Sequence, residues 1–223
     1  KASKELNRFQ KNIDLISKLF KFDDTIYEDF SILDYGGGDG YISSIFSDIF
    51  STLLDKKVDY CIYDFKQWKN SKGIYFDLNQ NKKFQLIILS HVLEHNHSPV
   101  EILNEVLQYA NEDTIIYIEV PDQRYLLFKG FLGKKFGMHY HVSFFSKTSL
   151  ERLLNKCGIR MYLSMYDFSG SYRGDSMETI VAVGRVNKSF TKNKAKKSLI
   201  YELISTLCSV FIKLIRNLRK NIF

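Results

Sequence analysis

Leu33–Tyr41 reads LDYGGGDGY, with four glycines in the five positions 36–40. Glycine loses more chain entropy on folding than any other residue, so this density needs a purpose. Ser31–Tyr35, just before it, is a short apolar run that reads as a strand. Ile42, Ile45, Phe46, Ile49, Phe50 and Leu53, just after it, recur at helical spacing. A strand, a glycine turn and a helix N-terminus together make a cradle for a charged ligand. The register narrows which one. A G-x-G-x-x-G fingerprint needs a third glycine where Tyr41 stands, and no Gly-Lys-Ser/Thr follows. What remains is Asp34 followed by alternate glycines, Gly36, Gly38 and Gly40. A carboxylate there repels a pyrophosphate and favours a cationic or zwitterionic ligand.

Working outward, Leu6, Phe9, Ile13, Ile16 and Phe20 predict an opening amphipathic helix. Further strands are expected at Val58–Tyr63, Gly73–Leu78, Phe84–Ser90 and Thr114–Val120. The helix after Phe84–Ser90 is signed by Ser98, Pro99 and Glu101, a capping-box pattern with proline at the first position. Another helix is expected at Lys147–Lys156, with Gly158 at its C-terminal end. Two strands, Gly158–Asp167 and Glu178–Val186, flank SGSYRGDS, a hairpin candidate. Alternating strands and helices predict an α/β, Rossmann-like doubly wound sheet. It is mostly parallel with an antiparallel last strand, because the closing pair has no crossover helix. Ligands bind such sheets at the carboxyl ends of the strands, at the topological switch.

The chain has 223 residues, 45% hydrophobic and 26% charged, enough for one packed core. Its net charge of +7 is uneven. From Arg185 onward there are 10 basic residues and 1 acidic residue, whereas residues 1–184 hold 22 basic and 24 acidic ones. The body is therefore not a basic nucleic-acid binder. Cys61, Cys157 and Cys208 are scattered, which fits a reducing, cytoplasmic setting and no disulfide scaffold. No signal peptide is read at the start, where Lys1 stands in place of Met.

DYGGGDG resembles the first motif of class I S-adenosylmethionine-dependent methyltransferases, and later segments agree in order. Asp64 in CIYDF matches the acidic residue that binds the ribose hydroxyls, at a spacing close to that expected for the role. Asp77 in YFDLN matches the residue near the adenine amino group. ILSHVLEH and IYIEVPD resemble the segments at strands four and five. HYHVSFFSKTSLERLLNKCGI resembles a stretch of the branch that includes bacterial surface-sugar and quinone methyltransferases. The resemblance covers about residues 25–186 and departs at Gly37, where the family often has Cys, Ala or Ser. It implies S-adenosyl-L-methionine as cofactor, held by Asp34, Gly36, Gly37, Gly38, Gly40, Asp64, Phe65, Asp77, Leu78 and Ser90. The implied acceptor is a small molecule, first a sugar or nucleotide-sugar of bacterial polysaccharide biosynthesis. A quinone-type phenol comes second and an RNA ribose third. A non-catalytic cofactor fold kept as a partner subunit is the opposing possibility.

All five histidines fall in two short segments, His91, His95 and His97, then His139 and His141. Imidazole titrates near neutrality, so His91, His139 and His141 are candidates for taking a proton from the acceptor. His91, Glu94, His95 and His141 are also a candidate divalent-metal set; on a helix Glu94 and His95 are adjacent steps and His91 lies one turn back, so all three are expected to reach one point near a helix start. Glu94-His95 resembles the pair of metal-using methyltransferases, although those have Glu where this chain has His91. The third possibility is that Glu94 and His95 only cap a helix and tie loops together. Tyr125, Phe128, Phe131, Tyr140, Phe144 and Phe145 are equally suited to an acceptor wall and to ordinary packing, and Arg173 in the hairpin to an anionic acceptor or a solvated turn.

Three segments are expected: residues 1–24, an N-terminal helix; 25–186, a methyltransferase domain; and 187–223, a basic linker and an amphipathic C-terminal helix. In the last, Ile200, Leu203, Ile204, Leu207, Phe211, Leu214, Ile215 and Leu218 form the apolar stripe. Residues 198–220 suit either packing on the body or on a second subunit, as in homodimerisation, or peripheral contact with an anionic inner-membrane surface.

Overall fold

The computed structural model describes residues 2–19, 30–67, 71, 73–124, 140–167, 171–172, 175–176 and 179–187. All lie within one compact unit, Lys1–Lys192. The expected C-terminal helix, His139, Arg173 and the aromatics Tyr125, Phe128 and Phe131 lie outside the described residues.

The elements in chain order are α1 (Ala2–Leu19), β1 (Ser31–Tyr35), α2 (Tyr41–Leu53), β2 (Asp59–Tyr63), β3 (Ile74–Tyr75), β4 (Phe84–Ser90), α3 (Pro99–Val106), β5 (Ala110–Pro121), α4 (Lys147–Lys156), β6 (Ile159–Asp167), the two-residue strands β7 (Ser171–Tyr172) and β8 (Asp175–Ser176), and β9 (Thr179–Val186). Seven strands form one sheet in the order β3-β2-β1-β4-β5-β9-β6. From β3 through β5 every neighbour is parallel, while β9 is antiparallel to both β5 and β6. The expected antiparallel finish is present, and β7 pairs with β8 as a hairpin. The chain passes from β1 to one side and later returns through β4 on the other, so the switch point lies between those two strands.

Alternation along the central strands sends side chains into two layers. Ile32, Leu86, Ile88, Ile115 and Tyr117 pack with Phe9, Ile13 and Ile16 of α1 and with Phe46 and Phe50 of α2. Leu33, Ile87, Leu89, Ile116 and Ile118 pack with Leu103 and Val106 of α3 and Leu150 and Leu154 of α4. A strand buried on both faces needs an apolar residue at nearly every position, which explains the run FQLIILS in β4. Phe46 is fully buried and meets Phe9 and Tyr117 edge-on, at ring separations of 5.6 and 5.0 Å. Each such pair contributes about 0.5–1.5 kcal/mol beyond area burial.

Three local expectations are corrected. The third strand, expected over Gly73–Leu78, is only Ile74–Tyr75. Phe76 still donates to the Ile62 carbonyl, but the Asp77 side chain then accepts from the Asn79 backbone N–H and turns the chain. The capping box at Ser98 and Glu101 does not form, and α3 starts on backbone bonds from Glu101 and Ile102 to the Ser98 carbonyl. A reciprocal box stands instead at Ser146 and Ser149, opening α4. His91, Glu94 and His95 do not share a regular helix: Leu93–His95 is one 3₁₀ turn, and His91 has φ of 57°. Among the described residues no helix is long and apolar enough to cross a membrane.

Candidate active site

The glycine loop fills the edge of the switch point. Gly36, Gly38 and Gly40 have φ of 75°, 58° and 76°, a region that costs other residues strain. Gly36 also has no room: an added Cβ would lie 2.5 Å from Val92 Cγ2. The Gly36 and Gly37 amides donate to the Tyr63 carbonyl at 2.7 and 3.2 Å, which binds the loop to the end of β2. The Gly38 amide donates to Asp64 Oδ2 at 2.9 Å, and Tyr75 donates to the Gly38 carbonyl at 3.1 Å. Asp34 is buried beneath Gly37, where a Cβ would fall 2.6 Å from Asp34 Oδ2. Glycine at 37, the position where the chain departs from the family pattern, therefore lets this carboxyl fold under the loop.

The structure brings Asp34, Gly36, Gly37, Gly38, Gly40 and Asp64 together through these contacts. Phe65 follows, 75% exposed as a residue, with its ring edge-on to Tyr63. Asp77 is exposed at the end of β3, and the Leu78 carbonyl beside it accepts from the Tyr109 hydroxyl. Ser90 at the end of β4 turns the other way and donates to Glu119.

Val92, the residue Gly36 nearly touches, belongs to the turn that carries the histidines. His91 Nδ1 bonds Glu94 Oε1 at 2.9 Å, and its Nε2 lies 3.9 Å from Glu119 Oε1. Its backbone N–H donates to the Glu119 carbonyl, which helps hold the left-handed conformation. The second histidine segment docks on the same turn. Val142 and Ser143 amides donate to the Glu94 carbonyl, His95 Nδ1 bonds the Tyr140 carbonyl at 2.9 Å, and the His95 and His141 rings meet at 4.9 Å. One atom each of Glu94, His95 and His141 lie within 4.8 Å of one another. Of the expected metal set, His91 stands apart from this trio, clasping Glu94 from behind. Glu94 Oε2 and His141 Nδ1 are buried with no hydrogen-bond partner among the described residues. Tyr140 and Phe144 are exposed along this segment, whereas Phe145 is in the core.

The two histidines differ electrostatically. Burial pulls the His91 pKa down, but the hydrogen bond to Glu94 and the charges of Glu119 and Glu94 outweigh it, so the net shift is upward. For His141 burial dominates, opposed by Glu94 and reinforced by His95 and His91, and the net shift is downward. His91 therefore keeps a proton more readily than a free imidazole, and His141 less readily.

Sequence reasoning missed a buried polar node beside them. Glu119 is fully buried in β5 and accepts from Arg8 of α1 at 2.6 Å, from Ser90 and Thr179 at 3.3 Å each, and from Tyr117 at 3.5 Å. Arg8 also lies 3.8 Å from Asp167, and Asn12 donates to Tyr117. The one available signal was a glutamate inside the otherwise apolar strand segment IYIEV.

This sheet order, with a glycine loop after β1 and an acidic residue closing β2, is the fold of class I S-adenosylmethionine-dependent methyltransferases. A family profile described as "Methyltransferase domain" matches residues 5–163, and the chain belongs to that family. Solved structures of similar fold include the plantazolicin methyltransferase in complex with SAH (TM-score 0.56, 16% identity, covering 82% of this chain and 85% of that one). Another is the magnesium protoporphyrin IX methyltransferase of Synechocystis PCC 6803 with bound SAH (TM-score 0.53, 12% identity, 79% and 83% covered). A third is the Burkholderia thailandensis 1,6-didemethyltoxoflavin-N1-methyltransferase with its substrate and S-adenosylhomocysteine (TM-score 0.51, 13% identity, 70% and 71% covered). No curated protein matches the sequence at a significant level. The protein is a methyltransferase with S-adenosylmethionine as its cofactor, and the residues present fit that group: a loop kept free of Cβ atoms and carboxyls suited to a cation.

Proposed function

We propose that the protein methylates a hydroxyl oxygen of a small molecule, a sugar or nucleotide-sugar of bacterial surface-glycan biosynthesis, with His141 taking the hydroxyl proton. The observation behind the base assignment is the buried, unpartnered Nδ1 of His141, on a ring whose pKa burial lowers. A neutral imidazole with a free lone pair is a competent base near pH 7. The sugar acceptor rests on the resemblance of residues 139–159.

When bound, the cofactor supplies a methyl group on a sulfonium sulfur. Asp34, the glycine loop and Asp64 hold it, with Phe65, Asp77 and Leu78 toward the adenosine end. Keeping acceptor and methyl in line provides the larger part of the rate, up to about 7–11 kcal/mol. Proton removal by His141 adds about 10²–10⁴-fold. His91, tied to Glu94 and facing Glu119, steadies the turn on which Glu94 and His95 sit.

His141→Ala is expected to lower kcat about 100-fold or more while leaving S-adenosylhomocysteine affinity unchanged. Transfer of a tritiated methyl group to a panel of nucleotide-sugars measures it, and undiminished turnover in the variant removes His141 from this role.

A divalent metal on Glu94, His95 and His141 is the second reading, favoured by the unpartnered Glu94 Oε2. His95 supports it, because Nδ1–H toward the Tyr140 carbonyl leaves Nε2 as a lone-pair donor. Two imidazoles and a carboxylate suit Zn²⁺ better than Mg²⁺, and such an ion polarises a ligated oxygen. Turnover that survives chelation supports the base reading, and turnover lost to chelation and restored by Zn²⁺ supports the metal.

We read residues 25–186 as the catalytic portion and 198–220 as a contact segment, for a second subunit or an anionic membrane. Flotation with anionic vesicles separates these. Binding that disappears when residues 190–223 are deleted supports the membrane, and absence of flotation by the full chain removes it.

A further inference from the structure

Among the described residues Asp34 is a carboxyl without a countercharge. It stands in β1, 1% exposed, and its Oδ2 has no hydrogen-bond partner among the described residues. None of the ion pairs among those residues includes it. The titratable groups that face it are acidic or neutral: Asp39 from the loop, Asp64 from the end of β2, and the Tyr60 phenol from β2. From α2 comes Ser43, which hydrogen-bonds through its hydroxyl and its amide. A carboxylate shut off from water with no cation beside it is strongly disfavoured against its neutral form. The cofactor brings the missing charge, on its ammonium and its sulfonium.

We propose that the cofactor enters this loop in exchange for a proton: Asp34 carries a carboxylic proton in the cofactor-free protein and releases it to solvent as the cationic cofactor docks. Only the Asp34 O–H bond breaks, and water or buffer takes the proton. The inference rests on the glycine loop being the cofactor site.

Burial, with Asp64 and Asp39 adding and Ser43 opposing, raises the Asp34 carboxyl to about 7. The apparent Kd then rises about tenfold between pH 8 and pH 6. Uptake releases about 0.9 proton at pH 6 and about 0.1 at pH 8 by the same relation. Apo stability carries the matching sign. The folded chain keeps the proton to higher pH than the unfolded chain, so Asp34 makes stability fall as pH rises from about 4 to about 7.

Calorimetric titration with S-adenosylhomocysteine at pH 6, 7 and 8, in buffers of different ionisation enthalpy, tests this. The wild type is expected to show the tenfold change and the stated proton release. Asp34→Asn is expected to show neither, beyond the proton exchange of the ligand's own amino group. A second readout needs no binding by the variant: urea unfolding of the apo protein between pH 4 and 7 loses its Asp34-linked downward slope in Asp34→Asn. Equal proton release in both proteins, a wild-type Kd flat with pH, or the same apo slope in both overturns the proposal. A wild type that binds no S-adenosylhomocysteine at any pH overturns the cofactor-site reading and the proposal with it, a result distinct from binding that ignores pH.

Discussion

Arg8→Met is expected to cost about 3–5 kcal/mol of stability, and adding Glu119→Gln to the same chain is expected to return most of it. Arg8 reaches from α1 to a carboxylate with no solvent exposure, at 2.6 Å. Methionine keeps the apolar stem and removes the charge. Ser90, Tyr117 and Thr179 still donate to Glu119, but the basic side chain left beside it among the described residues is then His91, 3.9 Å away and already bonded to Glu94. Taking one partner from a buried pair leaves a charge in a poorly polarisable place, whereas removing both is nearly neutral. Urea denaturation followed by circular dichroism of the single variant, the double variant and the wild type reads the difference. The total stability of a domain is only about 5–15 kcal/mol, so the single variant stands out clearly. A loss under about 1 kcal/mol, or a double variant no more stable than the single one, contradicts this account of the node.

The second large effect falls on the cofactor. Wild-type protein is expected to bind S-adenosylhomocysteine in the micromolar range, and Asp64→Ala to lose at least 10-fold to 100-fold in affinity. Asp64 Oδ2 accepts from the Gly38 amide and Oδ1 from the Lys66 amide, so one carboxylate pins the glycine loop to the end of β2. A hydrogen bond to a charged group contributes about 1.5–3 kcal/mol, and alanine also leaves the Gly38 donor unpaired. Asp64→Asn keeps one acceptor oxygen and is expected to fall between the two. Calorimetry at one pH suffices, and an alanine variant within threefold of wild type removes Asp64 from this role.

Where the sequence was legible, it was so for local reasons. α4 and β4 have the expected bounds, Lys147–Lys156 and Phe84–Ser90, because a helical stripe and an unbroken apolar run leave little freedom. The glycine loop was legible because its φ values admit few other residues. β3 was not, since its length is decided by the Asp77 side chain turning on Asn79. Nor was the Arg8–Glu119 pair, whose members are 111 positions apart in an arrangement that only the folded sheet creates. The histidine segments were recognisable as clusters. The opposite shifts of His91 and His141 were not, because they depend on Glu119, on the left-handed turn at His91 and on the burial of one His141 nitrogen.

The position of β9 bears on how the chain is made. Among the described strands it is the last to leave the ribosome, yet it lies inside the sheet, between β5 and β6. Until Thr179–Val186 emerges, β5 keeps an open edge along Ile115–Val120, apolar but for Glu119, the kind of edge that invites pairing with another nascent chain. A ribosome stall before residue 179 therefore leaves that edge open for as long as it lasts.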